Sequence, residues 1–309
     1  MPSLQVMGER RRGRDFYFRT RSFPKLRKKA GIMVKTMQPP HPAATHEHNA
    51  LFAHRIWSRL QTELQDPAPK RLWPDYAAQH TAPARTLLAR LVAEKLGDPI
   101  VPFAELYALF CRILEQSPAI MVAAAQDLQA YATKSPTRRD YLTPFMHLKG
   151  FQAVQAYRLA HILWRNGLHL SALHLQSRVS EVMGIDIHPA ATLGHRLVLA
   201  PGYGIVIGET ALVENDVVLM SDITLGGTGK HAGKRHPTVR RGALIGPDTQ
   251  ILGAIEIGEG AKIGAGAVVV KPVSPFTAVA GNPARYVNSH AHWPVLTMDL
   301  SFPSIDYLI

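Results

Sequence analysis

The segment Gly226-Gly227-Thr228-Gly229-Lys230-His231-Ala232-Gly233-Lys234-Arg235-His236-Pro237 gathers imidazoles, cations and glycines into one short stretch. Imidazoles titrate near working pH, so such residues can move protons and hold anionic groups. Carried on a rigid scaffold, the segment is a good place for an active site; by itself it reads equally as a mobile surface loop. Cys111 is the single cysteine and lies beside Phe110 and Ile113, which makes it a small buried hydrophobe rather than a nucleophile. One cysteine also excludes an intramolecular disulfide or a multi-cysteine metal site, and no metal is expected.

The scaffold that must position this loop shows in the spacing of aliphatic residues. Ile187, Leu193 and Leu199 step by six; so do Ile207, Val213, Leu219 and Leu225, and then Val239, Ile245, Ile251, Ile257, Ile263 and Val269. A helix repeats near 3.6 residues and a strand near 2, so a period of six fits neither. It fits a parallel β-helix in which three short strands close one triangular coil and the inward side chains stack in columns. Gly194, Gly208, Gly246, Gly258 and Gly264 follow the aliphatic position, and Ala191, Ala211, Thr249, Ala261 and Ala267 supply the small corner residues. The period breaks twice, by a two-residue insertion after Leu199 and by the loop before Val239.

Upstream, residues 49–183 read as helical. Leu51, Ile56, Leu60 and Leu64 define a first helix; Leu87, Leu91 and Leu96 a second, ended by Gly97 and Pro99; Phe103, Leu106, Phe110, Ile113 and Leu114 a third. A fourth spans Ala119 to Ala132, and another runs from Leu148 to Trp164. The expected class is α+β: a basic, unstructured extension (1–48), an all-helical domain (49–183), a parallel β-helix (184–287) and an extended tail (288–309). The 309 residues are 46% hydrophobic, enough for a sizeable core, and no run reaches the length of a membrane span. Of the net charge of +12, residues 1–40 carry +9. The basic charge is therefore local, and nucleic acid is not the expected partner.

The chain resembles the serine O-acetyltransferase family. The resemblance covers residues 49 to 309 and rests on Leu148-Lys149-Gly150-Phe151, Asp186-Ile187-His188-Pro189, Gly204-Ile205-Val206-Ile207-Gly208-Glu209-Thr210-Ala211, Glu214-Asn215-Asp216-Val217, Thr224-Leu225-Gly226-Gly227-Thr228-Gly229-Lys230, Arg235-His236-Pro237 and Ala280-Gly281-Asn282-Pro283-Ala284-Arg285. It implies acetyl transfer from acetyl-CoA to L-serine in cysteine biosynthesis, a cytoplasmic location, a left-handed winding of the β-helix, and a helical oligomerisation domain (49–183) that assembles trimers into a hexamer. It implies a Gly227 backbone N–H near the thioester oxygen, with Lys262, Gly264 and Ala265 along the pantetheine and nucleotide path. Arg235 matches the group facing the serine carboxylate, and His236 is a second imidazole at the reacting centre.

The family's general base is a His oriented by an Asp, and here those positions are Pro201 and Ala200, neither of which can accept a proton. A family carboxylate that holds the substrate ammonium falls at Ser135. His236 is the candidate substitute base; His188 reads as structural, and His195, His231 and Tyr203 as solvated surface residues. The chain ends Asp306-Tyr307-Leu308-Ile309, which resembles the family tail that enters the active site of O-acetylserine sulfhydrylase through its terminal Ile. Three expectations follow: a serine acetyltransferase, at full or impaired rate; a lapsed paralogue that regulates the sulfhydrylase through Ile309; or an acetyltransferase for another acceptor.

Overall fold

A computed structural model of the chain describes residues 46–134, 139–229 and 232–301. The basic extension, Ser135, Lys230, His231 and Ile309 lie outside the described residues.

The helical part consists of α1 (His46–Glu63), α2 (Pro67–Leu72), α3 (Pro74–Ala77), α4 (Ala84–Leu96), α5 (Phe103–Gln116), α6 (Pro118–Lys134), α7 (Leu142–His147), α8 (Lys149–Arg165) and α9 (His169–Met183). The apolar stripes anticipated from the sequence fall on α1, α4, α5, α6 and α8, and their large side chains are almost entirely buried, Leu60, Leu87, Phe110, Leu128 and Phe151 among them. Phe103, at 38% exposed, is a partial exception and Leu51, at 63%, a full one. Leu51 precedes Ile56 by five residues, which places it about 140° around the helix from the buried stripe. Among the described residues no single helix is long and apolar enough to cross a membrane; α5 and α6 pass such a test only as a pair bent by 96°.

From Ile185 the chain winds through three parallel faces. The first contains Ile185–Ile187, Ile205–Ile207, Thr224–Gly226, Gln250–Leu252 and Val268–Val269; the second Thr192–Leu193, Leu212–Val213, Thr238–Val239 and Glu256–Ile257. The third stacks Val198–Leu199, Val218–Leu219, Leu244–Ile245, Lys262–Ile263 and Thr277–Ala280, and is closed by the antiparallel strand Arg285–Ser289. The registers pair Ile187 with Ile207, Ile207 with Leu225, and Leu225 with Ile251, so the six-residue period becomes a column of side chains. Each fully buried side chain in such a column contributes about 1.5–3 kcal/mol.

The corners carry the polar stitching. Asp216, only 2% exposed, turns a corner at φ 65° and accepts from Arg196 of the coil above at 2.6 Å and from Arg241 of the coil below at 3.1 Å. One carboxylate thus ties three successive coils. The helices dock through Asp127, whose carboxylate accepts Leu197 N–H at 3.0 Å, Gln155 at 2.9 Å and Arg158 at 2.6 Å, while Arg158 reaches the Gly194 carbonyl at 3.0 Å.

The C-terminal segment expected to be extended also contains a helical turn, Pro294–Thr297, with Trp293 and Val295 buried. Gly242 explains the anchoring, because a Cβ there would stand 2.3 Å from the Trp293 ring, and Arg241 lies 5.6 Å from that ring's centre. The hexad cannot reveal this contact, since the segment packs outside the coil rather than continuing it.

Candidate functional site

Two edges of the triangular coil carry the residues singled out from the sequence. The edge between the first and second faces holds His188, Glu209, Gly227, Arg235 and His236, each at the corner of a successive coil or on the loop that replaces a corner. His236 is 9% exposed. Its Nδ1 receives the backbone N–H of Thr210 at 3.1 Å and lies 2.9 Å from the Thr210 hydroxyl. That hydroxyl oxygen accepts the backbone N–H groups of Arg235 at 3.0 Å and His236 at 3.1 Å, so its own proton is available to Nδ1.

With Nδ1 occupied as an acceptor, the neutral ring carries its proton on Nε2. Nε2 points towards two glycines. A Cβ on Gly208 would sit 2.2 Å from it, and one on Gly227 would sit 3.3 Å from it. Burial, reinforced by the Arg235 charge, pushes the His236 pKa down, which favours this neutral donor form. An imidazole so held donates from Nε2 before it accepts there.

Arg235 is ion-paired to Glu209, and the guanidinium hydrogen bond holds the Glu209 carboxyl below the usual carboxylate range. Neither Glu209 nor Thr210 was singled out as a site residue from the sequence. The signal was available: both follow Gly208 at a hexad corner, and the loop closing on Arg235-His236 returns to that edge one coil later. His188 closes its own turn, with Nδ1 accepting the Ala190 N–H at 3.1 Å, and its ring stands edge-on to Trp164 at 5.0 Å. Burial lowers its pKa.

The edge between the third and first faces carries Ala200, Pro201, Gly264 and Ala265. Tyr131 of α6 fixes its upper end, since its hydroxyl accepts Leu199 N–H at 2.9 Å and donates to Leu199 C=O at 2.8 Å. Gly150, at the start of α8, permits the contact, because a Cβ there would lie 2.0 Å from the Leu199 oxygen. Neither Ala200 nor Pro201 offers a titratable group. Ala200 opens instead onto a cavity of about 480 Å³ that also touches Lys134, Asp140, Leu148, Val198 and Met298. Lower on the same edge Gly264 is buried and Ala265 exposed. Lys262, on the third face beside them, is buried; its amine donates to the Ser301 carbonyl, and burial lowers its pKa.

Gly227, Arg235 and His236 therefore come together, whereas Lys262, Gly264 and Ala265 lie on another side of the same coil. Tyr203 is exposed as expected. His195 is not a solvated residue: it is half-buried, with Nδ1 3.0 Å from the Arg196 guanidinium, and burial followed by the Arg196 charge lowers its pKa to about 4. The corner network around Asp127 and Asp216 encloses it.

Comparison with known proteins matches both halves of this architecture. A family model described as "Serine acetyltransferase, N-terminal" matches residues 56–156, and one described as "Bacterial transferase hexapeptide (six repeats)" matches residues 236–271. The serine acetyltransferase of Escherichia coli is 45% identical over 221 residues, spanning 71% of this chain and 81% of that protein. The Haemophilus influenzae enzyme is 44% identical over 220 residues, spanning 71% and 82%. A solved serine acetyltransferase in complex with cysteine matches with a TM-score of 0.77 at 38% identity, covering 81% of this chain and 100% of the other. That of Vibrio cholerae matches with a TM-score of 0.76 at 39% identity, covering 81% and 98%. The relatives span more than two thirds of the chain at 44–45% identity, and the chain belongs to the serine acetyltransferase family of acetyl-CoA-dependent acyltransferases.

Proposed function

We propose that the chain transfers the acetyl group of acetyl-CoA to the hydroxyl of L-serine, giving O-acetyl-L-serine and CoA, without the Asp–His base of its relatives. Arg235 faces the serine carboxylate. Gly227 N–H and His236 Nε2–H donate to the thioester oxygen as negative charge develops on it, usually a large term in acyl transfer. Lys262, Gly264 and Ala265 line the path of the pantetheine and nucleotide. The serine oxygen bonds to the acyl carbon, the carbon–sulfur bond breaks, and the hydroxyl proton passes through water to the departing thiolate. Lacking a positioned base costs on the order of 10²–10⁴ in rate, so the reaction is slow rather than absent.

The observation that supports this most is the hold of Thr210 on His236 Nδ1, which turns the remaining imidazole into a donor beside Gly227. Because Ala200 and His236 occupy different edges of one coil, a site using both needs a second copy of the chain, which favours a homotrimer, alone or paired as a hexamer. The lone Cys111 and the family suit a cytoplasmic enzyme. CoA release that depends on L-serine and falls in His236→Ala is expected from the full chain; serine binding with no release at all would sink the proposal.

The vacated base favours a second role, in which Ile309 docks into O-acetylserine sulfhydrylase and the chain regulates that enzyme. Ser135 and Ile309, both implicated by resemblance, belong to segments outside the described residues. Sulfhydrylase binding that survives deletion of Ile309 would remove this reading.

A further inference from the structure

The cavity at Ala200 measures about 480 Å³, within the range of pockets that enclose ligands well above the size of serine. Ala132, Pro144, Leu148, Val198 and Met298 wall it, so the surface it offers is mainly apolar. Its charged side chains are turned to the protein itself: Lys134 donates to the Asp216 carbonyl at 3.4 Å, and Asp140 Oδ1 accepts the Thr143 N–H at 2.6 Å. Serine, small and polar, leaves such a space largely unfilled.

The same wall offers no base at Ala200. A hydroxyl must give up its proton as it attacks, whereas a neutral amine attacks with its lone pair and sheds a proton afterwards. Apolar surroundings favour the neutral form of an amine. The amine already present there behaves so: burial pushes the Lys134 pKa down to about 8 and the Arg196 charge adds to this, against the opposing pull of Asp216 and Asp127. Tyr131, Asp140 and His147 are the other titratable groups described on the cavity wall.

We infer that the cavity is an acceptor site for primary amines with an apolar body, which the chain N-acetylates from acetyl-CoA as a further activity. This rests on the acetyl-transfer proposal in one respect, that the cavity receives the acceptor. The amine nitrogen bonds to the acyl carbon, the carbon–sulfur bond breaks, and the surplus proton on nitrogen passes to the departing thiolate, giving an N-acetyl amide and CoA. Gly227 and His236 serve the developing oxyanion as they do for serine.

The test is enzyme-dependent CoA release by the full chain at mildly alkaline pH with 2-phenylethylamine, 2-phenylethanol, methylamine and L-serine. In kcat/KM, 2-phenylethylamine is expected to exceed methylamine by roughly 10–100-fold, the worth of burying one aromatic group, and to exceed 2-phenylethanol by at least about 10-fold. Ala200→Leu and Met298→Trp fill the cavity from opposite walls. Each should remove most of the preference over methylamine while the methylamine rate and acetyl-CoA affinity stay within about twofold; two variants guard against one that fails to fold. No preference over methylamine, equal turnover of 2-phenylethanol, or a preference that survives both substitutions overturns the inference. Turnover of 2-phenylethylamine with none of L-serine would count against the serine reading and leave this one standing, and turnover of serine with none of the amine would do the reverse.

Discussion

The edge that carries His236 and the edge that carries Ala200 belong to the same coil and are built by the same repeat, but they have kept different things. On the first, Thr210 holds one imidazole in one tautomer through its backbone N–H and its hydroxyl, and the backbone N–H groups of Arg235 and His236 fix that hydroxyl in turn. On the second, Tyr131 and Gly150 still fix the backbone at Leu199 with the same care, while the side chains beyond it, Ala200 and Pro201, can accept no proton. Stabilising negative charge and removing a proton are separable parts of acyl transfer, and under the proposed function only the first keeps its residues.

The largest effect should come from refilling the poorer edge. Ala200→Asp with Pro201→His is expected to raise serine-dependent CoA release by about 10²–10⁴, the usual worth of a positioned base, and an unchanged rate would mean the acceptor pocket has been rebuilt for another purpose. Emptying the richer edge comes next. His236→Ala should lower the residual rate by about 10²–10³ if the imidazole is an oxyanion donor, and steady-state kinetics would show the loss in kcat more than in KM. Thr210→Val, which removes the hydroxyl at Nδ1 but leaves the backbone N–H, should cost less, about 10-fold, and should shift the pH profile as the ring loses its fixed tautomer.

Stability gives two smaller contrasts. Tyr131→Phe leaves the buried N–H and C=O of Leu199 without the hydroxyl, and chemical denaturation should register a loss of about 1–3 kcal/mol. His195 has a folded pKa of about 4 against an ordinary 6.5, so the unfolded chain binds more protons between those values. Stability should therefore be fully present above pH 6.5 and decline as pH falls from 6.5 towards 4. His195→Gln should flatten that part of the curve, and an unaltered slope would show that other groups set it.

Much of this arrangement was legible before any coordinates. The period of six fixes which side chains turn inward, so the columns through Ile207 and Ile251 follow from spacing, and the two breaks in the period mark the corners where the candidate chemistry lies. The partners of those corners were harder to see. Thr210 and His236 are 26 residues apart and meet only because the loop returns to the same edge one coil later, which requires the register as well as the repeat. Tyr131 acts from the helical domain, where apolar stripes reveal packing faces but not which polar group meets the coil. Trp293 escaped notice because its partner is the absence of a side chain at Gly242.

The separation of the two edges is most directly tested on the unaltered protein by comparing L-serine with L-2,3-diaminopropanoate, whose β-amine, when unprotonated, attacks a thioester without needing a base to remove its proton first. At a pH where that amine is partly unprotonated, the diamino acid should be acetylated at least about 10-fold faster than serine, because the donor edge is present and only proton removal is missing. Equal or slower acetylation of the diamino acid, with serine turning over at an appreciable rate, would contradict this and show that some group on the acceptor edge still takes the proton.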